Sequence, residues 1–172
     1  LNKYHNNYFK IEELIDLSSK IGADIPFFIF NKAARINGIG DKIKLIQNNF
    51  KKAIILIKPN FGVSTKFAYE NVKNIKDILK SNLNNIESGL KLNQKETINE
   101  NIKNILQQAL FGNKDIKLFE DKLNLIFPKK YFHMSGSGSC FFTICEEDEK
   151  DIIIKILQEN FKDFFIKDCK LI

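Results

Sequence analysis

The stretch "HMSGSGSCFFTIC", residues 133–145, places a serine–glycine alternation between two apolar segments. The chain has only eight glycines, and two of them, Gly136 and Gly138, stand one residue apart here. Glycine adopts positive φ and lets another group approach the backbone, so the pattern predicts a tight loop between two strands. No lysine follows the glycines, which excludes a Walker A loop, and G-x-G-x-x-G is not matched either. A plain strand connection and a phosphate-facing loop both stay open from these residues alone.

Around this loop, the segment from residue 53 onward predicts the order β-α, helices, β-β-α-β. "KAIILIKP" reads as a buried strand that Pro59 ends, and Ser64 or Thr65 can cap the next helix. The asparagine-rich residues 81–96 predict a mobile loop. Further helices are predicted near 97–111, 115–127 and 147–160, and strands near 130–134, 140–145 and 162–169. This order is typical of an α+β sandwich of ferredoxin-like type, with helices on one face of an antiparallel sheet.

The first fifty residues or so have a different character. Residues 10–22 predict a helix that ends at Gly22, and two strands are predicted around 27–37 and 41–47. The turn "NGIGD" at 37–41 would join these strands as a hairpin. We therefore predict two domains, 1–52 and 53–172, and we expect the chain to start inside an upstream domain.

Composition limits the classes of function. The net charge is +6, but Arg35 is the only arginine, and the lysines alternate with acidic residues. Because arginine is the usual residue for phosphate and base recognition, nucleic-acid binding is disfavoured. Three cysteines and two histidines lack metal-ligand spacing, so no metal site is predicted, and the odd cysteine count favours a reducing compartment. No apolar run approaches the roughly 18 residues of a membrane helix.

Two further segments carry candidate chemistry. In "GADIPFF", residues 22–28, Asp24 has apolar neighbours, so it is either the cap of a helical turn or a carboxylate base. In "KPNFGVSTKFAYENV", residues 58–72, Thr65 opens a helix and Tyr69 follows one turn later. Plain capping and a core position for Tyr69 are the alternatives to a binding role.

Taken in order, these segments resemble the GHMP kinase superfamily. "IGADIPFFIFNKAARINGIGDKI" and "KPNFGVSTKFAY" are similar to segments of its 4-diphosphocytidyl-2-C-methyl-D-erythritol kinase family, and "MSGSGSCFF" is similar to the third superfamily motif. The resemblance implies a C-terminal ferredoxin-like α/β sandwich plus a remnant of the N-terminal, ribosomal protein S5 domain 2-like domain.

The chain also departs from the family pattern. The lysine-bearing strand and the glycine-serine-rich ATP loop are not found, so we expect a C-terminal portion that is inactive alone. The Asn-Asp-Leu type of helix start that precedes the third motif is not found either, and "GNKD" at 112–115 is a poor substitute.

By the resemblance, the enzyme transfers the γ-phosphate of ATP, with Mg²⁺, to the 2-hydroxyl of 4-diphosphocytidyl-2-C-methyl-D-erythritol, in non-mevalonate isoprenoid precursor biosynthesis. Asp24 would be catalytic, and Ile39, Thr65 and Tyr69 would contact the substrate, with Tyr69 against the cytosine. The loop that supports ATP and its phosphates would comprise Ser135, Gly136, Ser137, Gly138 and Ser139.

The resemblance also sets expectations for partners and location. The partner would be a small cytidine diphosphate derivative, without nucleic acid or membrane, and a homodimer is compatible with the family. The location would be cytoplasmic, or a plastid-type organelle in a eukaryote. Two alternatives stay open, namely another GHMP kinase of homoserine or mevalonate type, and a non-catalytic ferredoxin-like binding module, including an RNA binder.

Overall fold

A computed structural model describes residues 4, 6–23, 25–40 and 42–171 of the 172-residue chain. The chain divides into two compact units, and the division falls between Asn48 and Asn49. No helix in the described ranges is long and apolar enough to cross a membrane. The assignment of the two units to the predicted family domains stays a prediction.

Among its described residues, the first unit has two helices and a hairpin: α1 (Ile11–Ser19), α2 (Ile25–Phe30), β1 (Ala34–Asn37) and β2 (Lys42–Leu45). Helix α1 confirms the predicted element, although it ends at Ser19 with Lys20 as its αR C-cap instead of reaching Gly22. Strands β1 and β2 pair antiparallel, as predicted, with Ala34 opposite Leu45.

The prediction of a strand beginning at residue 27 is wrong, because "PFFIF" forms most of helix α2. A short, wholly apolar run has no periodicity that separates a buried strand from a helix. Pro26 lies in the first turn of α2, where its fixed φ suits a helix and its missing N–H costs no hydrogen bond. Pro26 is also the buried residue of this helix.

The second unit is built on a four-stranded antiparallel sheet with the strand order β4-β5-β3-β6. Its strands are β3 (Ala53–Lys58), β4 (His133–Met134), β5 (Phe141–Cys145) and β6 (Phe165–Cys169). The central strand β3 pairs with β5 from Ala53 opposite Cys145 and with β6 from Ile54 opposite Cys169. This sheet confirms the predicted ferredoxin-like α+β fold and places the short strand β4 at one edge.

Six α-helices are described in the second unit: α3 (Thr65–Asn71), α4 (Leu83–Leu92), α5 (Lys95–Asn101), α6 (Ile105–Ala109), α7 (Lys114–Ile126) and α8 (Lys150–Asn160). A 3₁₀ turn, Val72–Asn74, follows α3. Helices α3, α7 and α8 confirm the sequence prediction. The helix predicted over 97–111 is instead split between α5 and α6, because Ile102 adopts an extended conformation.

The predicted mobile loop at 81–96 is also wrong, because these residues form α4 and the start of α5. Asn82 caps α4 by accepting from the Asn85 N–H, and Asn93 ends it in the left-handed region with φ 58°. Asparagine favours loops, but it also favours these two helix-terminal positions.

Helices cover both faces of the sheet, which corrects the prediction of one covered face. Alternate residues of β3 point to opposite sides, so Ile55 and Ile57 join a large cluster with α7 and α8, whereas Ile54 joins a smaller one. The smaller cluster includes Ile98 of α5, with Leu90 of α4 packed against it. The asparagine-rich segment therefore supplies the second helical layer.

Candidate functional site

The serine–glycine loop, residues 135–139, joins β4 to β5 and is closed by backbone hydrogen bonds. The Ser135 N–H donates to the Cys140 carbonyl at 2.8 Å, and the Gly138 N–H donates to the Ser135 carbonyl at 3.0 Å. Gly136 and Gly138 both adopt positive φ, 56° and 84°. The sequence prediction of a tight loop that needs these glycines is therefore confirmed.

The two glycines meet different surroundings. A Cβ atom at Gly138 would lie 2.8 Å from the Met134 Sδ atom, closer than van der Waals contact allows. A Cβ atom at Gly136 would meet nothing within 4 Å. Gly138 therefore packs against the end of β4, whereas Gly136 faces open space that a ligand group could enter.

Two hydroxyl contacts tie the loop to the segment that opens α3. The hydroxyls of Ser137 and Thr65 lie 2.9 Å apart, within hydrogen-bond distance. The buried Ser139 hydroxyl donates to the Phe61 carbonyl at 2.7 Å. Ser64 caps α3 by accepting from the Phe67 N–H, and this fixes Thr65 as the first helical residue. We call Thr65 together with residues 135–139 the hydroxyl surface.

The other predicted substrate residues fall in different places. Tyr69 lies on α3 with 63% of its surface exposed, so it is not a core residue. Ile39 lies in the turn of the β1–β2 hairpin in the first unit, and it is also exposed. Asp24 lies outside the described residues. The structure thus brings Thr65 to the predicted loop, and the roles of Ile39, Tyr69 and Asp24 stay predictions.

The sequence analysis missed Asn104, which links helix α6 to the loop. Its Oδ1 atom accepts from the Leu106 and Gln107 N–H groups, and its Nδ2 atom donates to the Met134 and Gly136 carbonyls. An asparagine directly before the apolar "IL" of α6 is a helix-start signal. That signal was hidden because 97–111 was predicted as one continuous helix.

Gln107 of α6 extends this contact. Its Oε1 atom accepts from the Met134 N–H at 2.9 Å, and its Nε2 atom donates to Glu120 of α7 at 2.6 Å. Burial raises the pKa of the Glu120 carboxyl above its ordinary value, although this hydrogen bond acts in the opposite direction. A cavity of about 300 Å³ lies beside these two side chains and is lined by none of the residues predicted for the site.

Two ionisable side chains near the loop, Cys140 and His133, are poorly suited to nucleophilic or acid–base catalysis at pH 7. Burial raises the pKa of the Cys140 thiol, beside the loop, so the thiol stays protonated and is a poor nucleophile. Burial lowers the pKa of His133 to about 4, and Lys103 adds to the effect, so the ring is neutral at pH 7. Within the described ranges, no group of three His, Cys, Asp or Glu side chains could hold a metal ion.

Comparison with known proteins gives the family context. A family model described as "GHMP kinases C terminal" matches residues 65–163. The 4-diphosphocytidyl-2-C-methyl-D-erythritol kinase of Fusobacterium nucleatum is 40% identical over 174 aligned residues, covering 100% of this chain and 59% of that protein. The enzyme of the same name from Clostridium botulinum (strain Alaska E43 / Type E3) is 32% identical, covering 96% of this chain and 60% of that protein. The chain thus spans about three fifths of the length of these relatives.

Solved structures share the fold. A crystal structure of 4-(cytidine 5'-diphospho)-2C-methyl-D-erythritol kinase matches with a TM-score of 0.74 at 20% identity, covering 98% of this chain and 60% of that one. The homoserine kinase of Cytophaga hutchinsonii matches with a TM-score of 0.68 at 16% identity, covering 98% of this chain and 59% of that one. At these identities the likeness concerns the fold alone.

Proposed function

This chain belongs to the GHMP kinases, and from that premise we propose that the protein containing it phosphorylates 4-diphosphocytidyl-2-C-methyl-D-erythritol at the 2-hydroxyl. The observation that carries the proposal is the alignment of the whole chain, at 40% identity, with a relative named 4-diphosphocytidyl-2-C-methyl-D-erythritol kinase. The exposed side chains of Tyr69, Thr65 and Ser135 add support, because they are available to a ligand.

Within the hydroxyl surface, we assign the serine–glycine loop to ATP, and Thr65, which Ser137 contacts, stays with the cytidyl substrate. Phosphoryl transfer asks a protein mainly to position the reactants and to stabilise charge. Ser137 and Thr65 offer hydroxyl groups, and the open space beside Gly136 lets a phosphate oxygen approach the backbone. When bound, ATP would supply the phosphoryl group, and Mg²⁺ would stabilise the negative charge that the transfer develops. We assign no residue of this chain to the metal.

Tyr69 and Asp24 take the roles that the family resemblance implies. The exposed ring of Tyr69 can stack on the cytosine, a contact typically worth about 1–3 kcal/mol per base. Asp24 takes or orients the proton of the attacking hydroxyl, and Ile39 adds an apolar substrate contact. In this proposal, Asp24 carries the charge that the chemistry needs, and Tyr69 binds the nucleobase by stacking.

The proposal is tested by ATP turnover in the full-length gene product that contains this chain. ADP release is measured with 4-diphosphocytidyl-2-C-methyl-D-erythritol, homoserine and mevalonate as separate acceptors. We expect turnover with the cytidyl substrate alone. Preference for homoserine or mevalonate would assign another GHMP activity, and a folded protein inactive with all three would favour a non-catalytic module.

The nucleobase contact is tested by Tyr69→Ala, with Tyr69→Phe as the matched control that keeps the ring. Loss of stacking should raise KM for the cytidyl substrate about five- to 150-fold, corresponding to about 1–3 kcal/mol. The phenylalanine variant should stay near wild type. Equal effects of the two variants would contradict stacking.

The catalytic assignment is tested by Asp24→Asn, which removes the charge with little change of volume. Asparagine caps a helix about as well as aspartate, so a capping role predicts an unchanged kcat. A base predicts a fall in kcat of about 10²–10⁴-fold with the substrate Kd little changed. A variant that keeps more than about a tenth of wild-type kcat would refute the assignment.

A further inference from the structure

The edge strand β4 presents its last residue, Met134, to helix α6. Ser135 and Cys140 form the hydrogen-bonded pair at the end of the β4–β5 ladder, so the backbone groups of Met134 point away from β5. An edge strand leaves such groups without a strand partner. Here side chains of α6 and its N-cap replace the missing strand: the Met134 N–H donates to Gln107 at 2.9 Å, and its carbonyl accepts from the N-cap Asn104 at 2.7 Å.

The Asn104 carboxamide also bonds within the loop. Its Nδ2 atom donates at 2.8 Å to the Gly136 carbonyl, so its two N–H groups hold the carbonyls on either side of Ser135. Its Oδ1 atom accepts from the first turn of α6, at 2.8 Å from the Leu106 N–H. A carboxamide has two donors and one acceptor oxygen, and all of them are engaged here.

The loop is thereby held from two sides. On one side Asn104 and Gln107 fix the end of β4, and Gln107 is itself held by Glu120 of α7. On the other side Ser137 meets the Thr65 hydroxyl, and the opening of α3 completes the hydroxyl surface. A loop with two glycines at positive φ has many accessible conformations, so these contacts select the one that presents Ser137.

We propose that Asn104 is a positioning residue that sets the conformation of the serine–glycine loop, with Gln107 as its second support. Asn104 acts through the loop and does not itself touch the reacting atoms. The kinetic part of this inference rests on the proposed kinase function, whereas its structural part does not.

Asn104→Asp separates the two tasks of the carboxamide. A carboxylate caps α6 as well as asparagine does, but it offers no donor to the carbonyls of Met134 and Gly136. Asn113→Asp is the matched control, because Asn113 caps the next helix, α7, by accepting from the Ile116 N–H at 3.0 Å. The control makes the same chemical change at a helix start that does not hold the loop.

The first measurement is amide hydrogen exchange in the full-length protein, read at Ser135 and Gly138, whose N–H groups are bonded within the loop. Loss of two hydrogen bonds should speed exchange at these amides about tenfold or more in Asn104→Asp, whereas exchange in Asn113→Asp should stay at the wild-type rate.

The second measurement is steady-state kinetics with the cytidyl substrate, which gives kcat and KM separately. We expect kcat to fall about tenfold with KM within about twofold, because Tyr69 lies on a helix that the substitution does not alter.

The outcomes are distinguishable. Loop exchange at the control rate in a folded Asn104→Asp protein overturns the inference, whatever the activity. In another outcome, the wild type itself turns over no substrate while Asn104→Asp still shows fast exchange in the loop. That result would support the structural role of Asn104 and refute the proposed function. Asn104→Ser, which keeps a short capping oxygen but lacks the two amide donors, is read in the same way if Asn104→Asp does not fold.

Discussion

Lowering the pH should destabilise this protein through one buried side chain, His133. The residue is 7% exposed in the edge strand β4, and its Nε2 atom lies 3.2 Å from the Oδ1 atom of the buried Asn99. Its ring stacks parallel to Tyr131 at 6.0 Å between centroids. Burial, with a smaller contribution from the positive charge of Lys103, lowers the pKa of His133 from 6.5 to about 4.

The sign and the size of the effect follow from proton linkage. Above pH 6.5 the imidazole is neutral in the folded and unfolded states, so it contributes nothing to the pH dependence. Between pH 6.5 and 4 the unfolded state binds a proton that the folded state does not, so the free energy of unfolding falls with the pH. At about 1.4 kcal/mol per pKa unit, the loss is about 2 kcal/mol at pH 5 and about 3 kcal/mol below pH 4.

The assay is urea unfolding at several pH values between 7.5 and 5, for the wild type and His133→Gln. Glutamine does not titrate, and its amide can still donate to Asn99. Carboxyl groups titrate in both proteins, and they include Glu120, whose pKa is raised by burial. The difference in unfolding free energy between the two proteins therefore isolates the contribution of the histidine. A difference that stays constant within about 0.5 kcal/mol over this range would refute the reasoning, since linkage requires about 2 kcal/mol.

Three glycine substitutions test packing. In urea unfolding, Gly138→Ala should lower the free energy of unfolding more than Gly136→Ala does. Both substitutions incur about 1–2 kcal/mol of left-handed strain, but only the Cβ at Gly138 meets a side chain, at 2.8 Å. Equal losses of stability would contradict this. Gly89→Ala in α4 should also destabilise the protein, because its Cβ would lie 2.6 Å from the Ile98 Cγ1 atom. Overpacking costs about 1–3 kcal/mol and the better helix propensity of alanine returns about 1 kcal/mol, so the net loss is up to about 2 kcal/mol. Ile98→Ala removes that atom, so the double variant should lose less than the two single losses added together, and simple additivity would count against the contact.

The parts of the fold that the sequence predicted are those in which local pattern and tertiary environment agree. Strand β3 is a run of β-branched and apolar residues ended by proline, and helix α7 repeats apolar residues at helical spacing, with Ile116, Phe119 and Leu123 buried. The helix at "PFFIF" and helix α4 were missed for opposite reasons. The first has no periodicity to read, and the second has the composition of a loop because asparagine occupies its caps.

In the candidate site, too, the sequence predicted local conformation but not contacts between distant residues. Two glycines at positive φ could be inferred from "SGSGS", since few other residues adopt that conformation without strain. The contact between Ser137 and Thr65, 72 residues apart, was not predicted, because family resemblance assigned Thr65 to the substrate and Ser137 to the loop that supports ATP. The partners of Asn104 lie 30 and 32 residues away, and no local pattern connects an asparagine with distant backbone carbonyls.

The conformation of the serine–glycine loop could not be predicted from its own residues for a physical reason. Glycine permits the observed turn but does not select it, because the same residues reach many other conformations at similar free energy. Selection requires directional contacts from rigid elements, and here they come from the start of α6, through Asn104, and from the start of α3, through Thr65. A phosphate-facing surface must hold its shape before the ligand arrives if it is to stabilise charge without reorganising. Under our proposal that this loop faces phosphate, the side chains that fix it matter as much to the site as the serines and glycines within it.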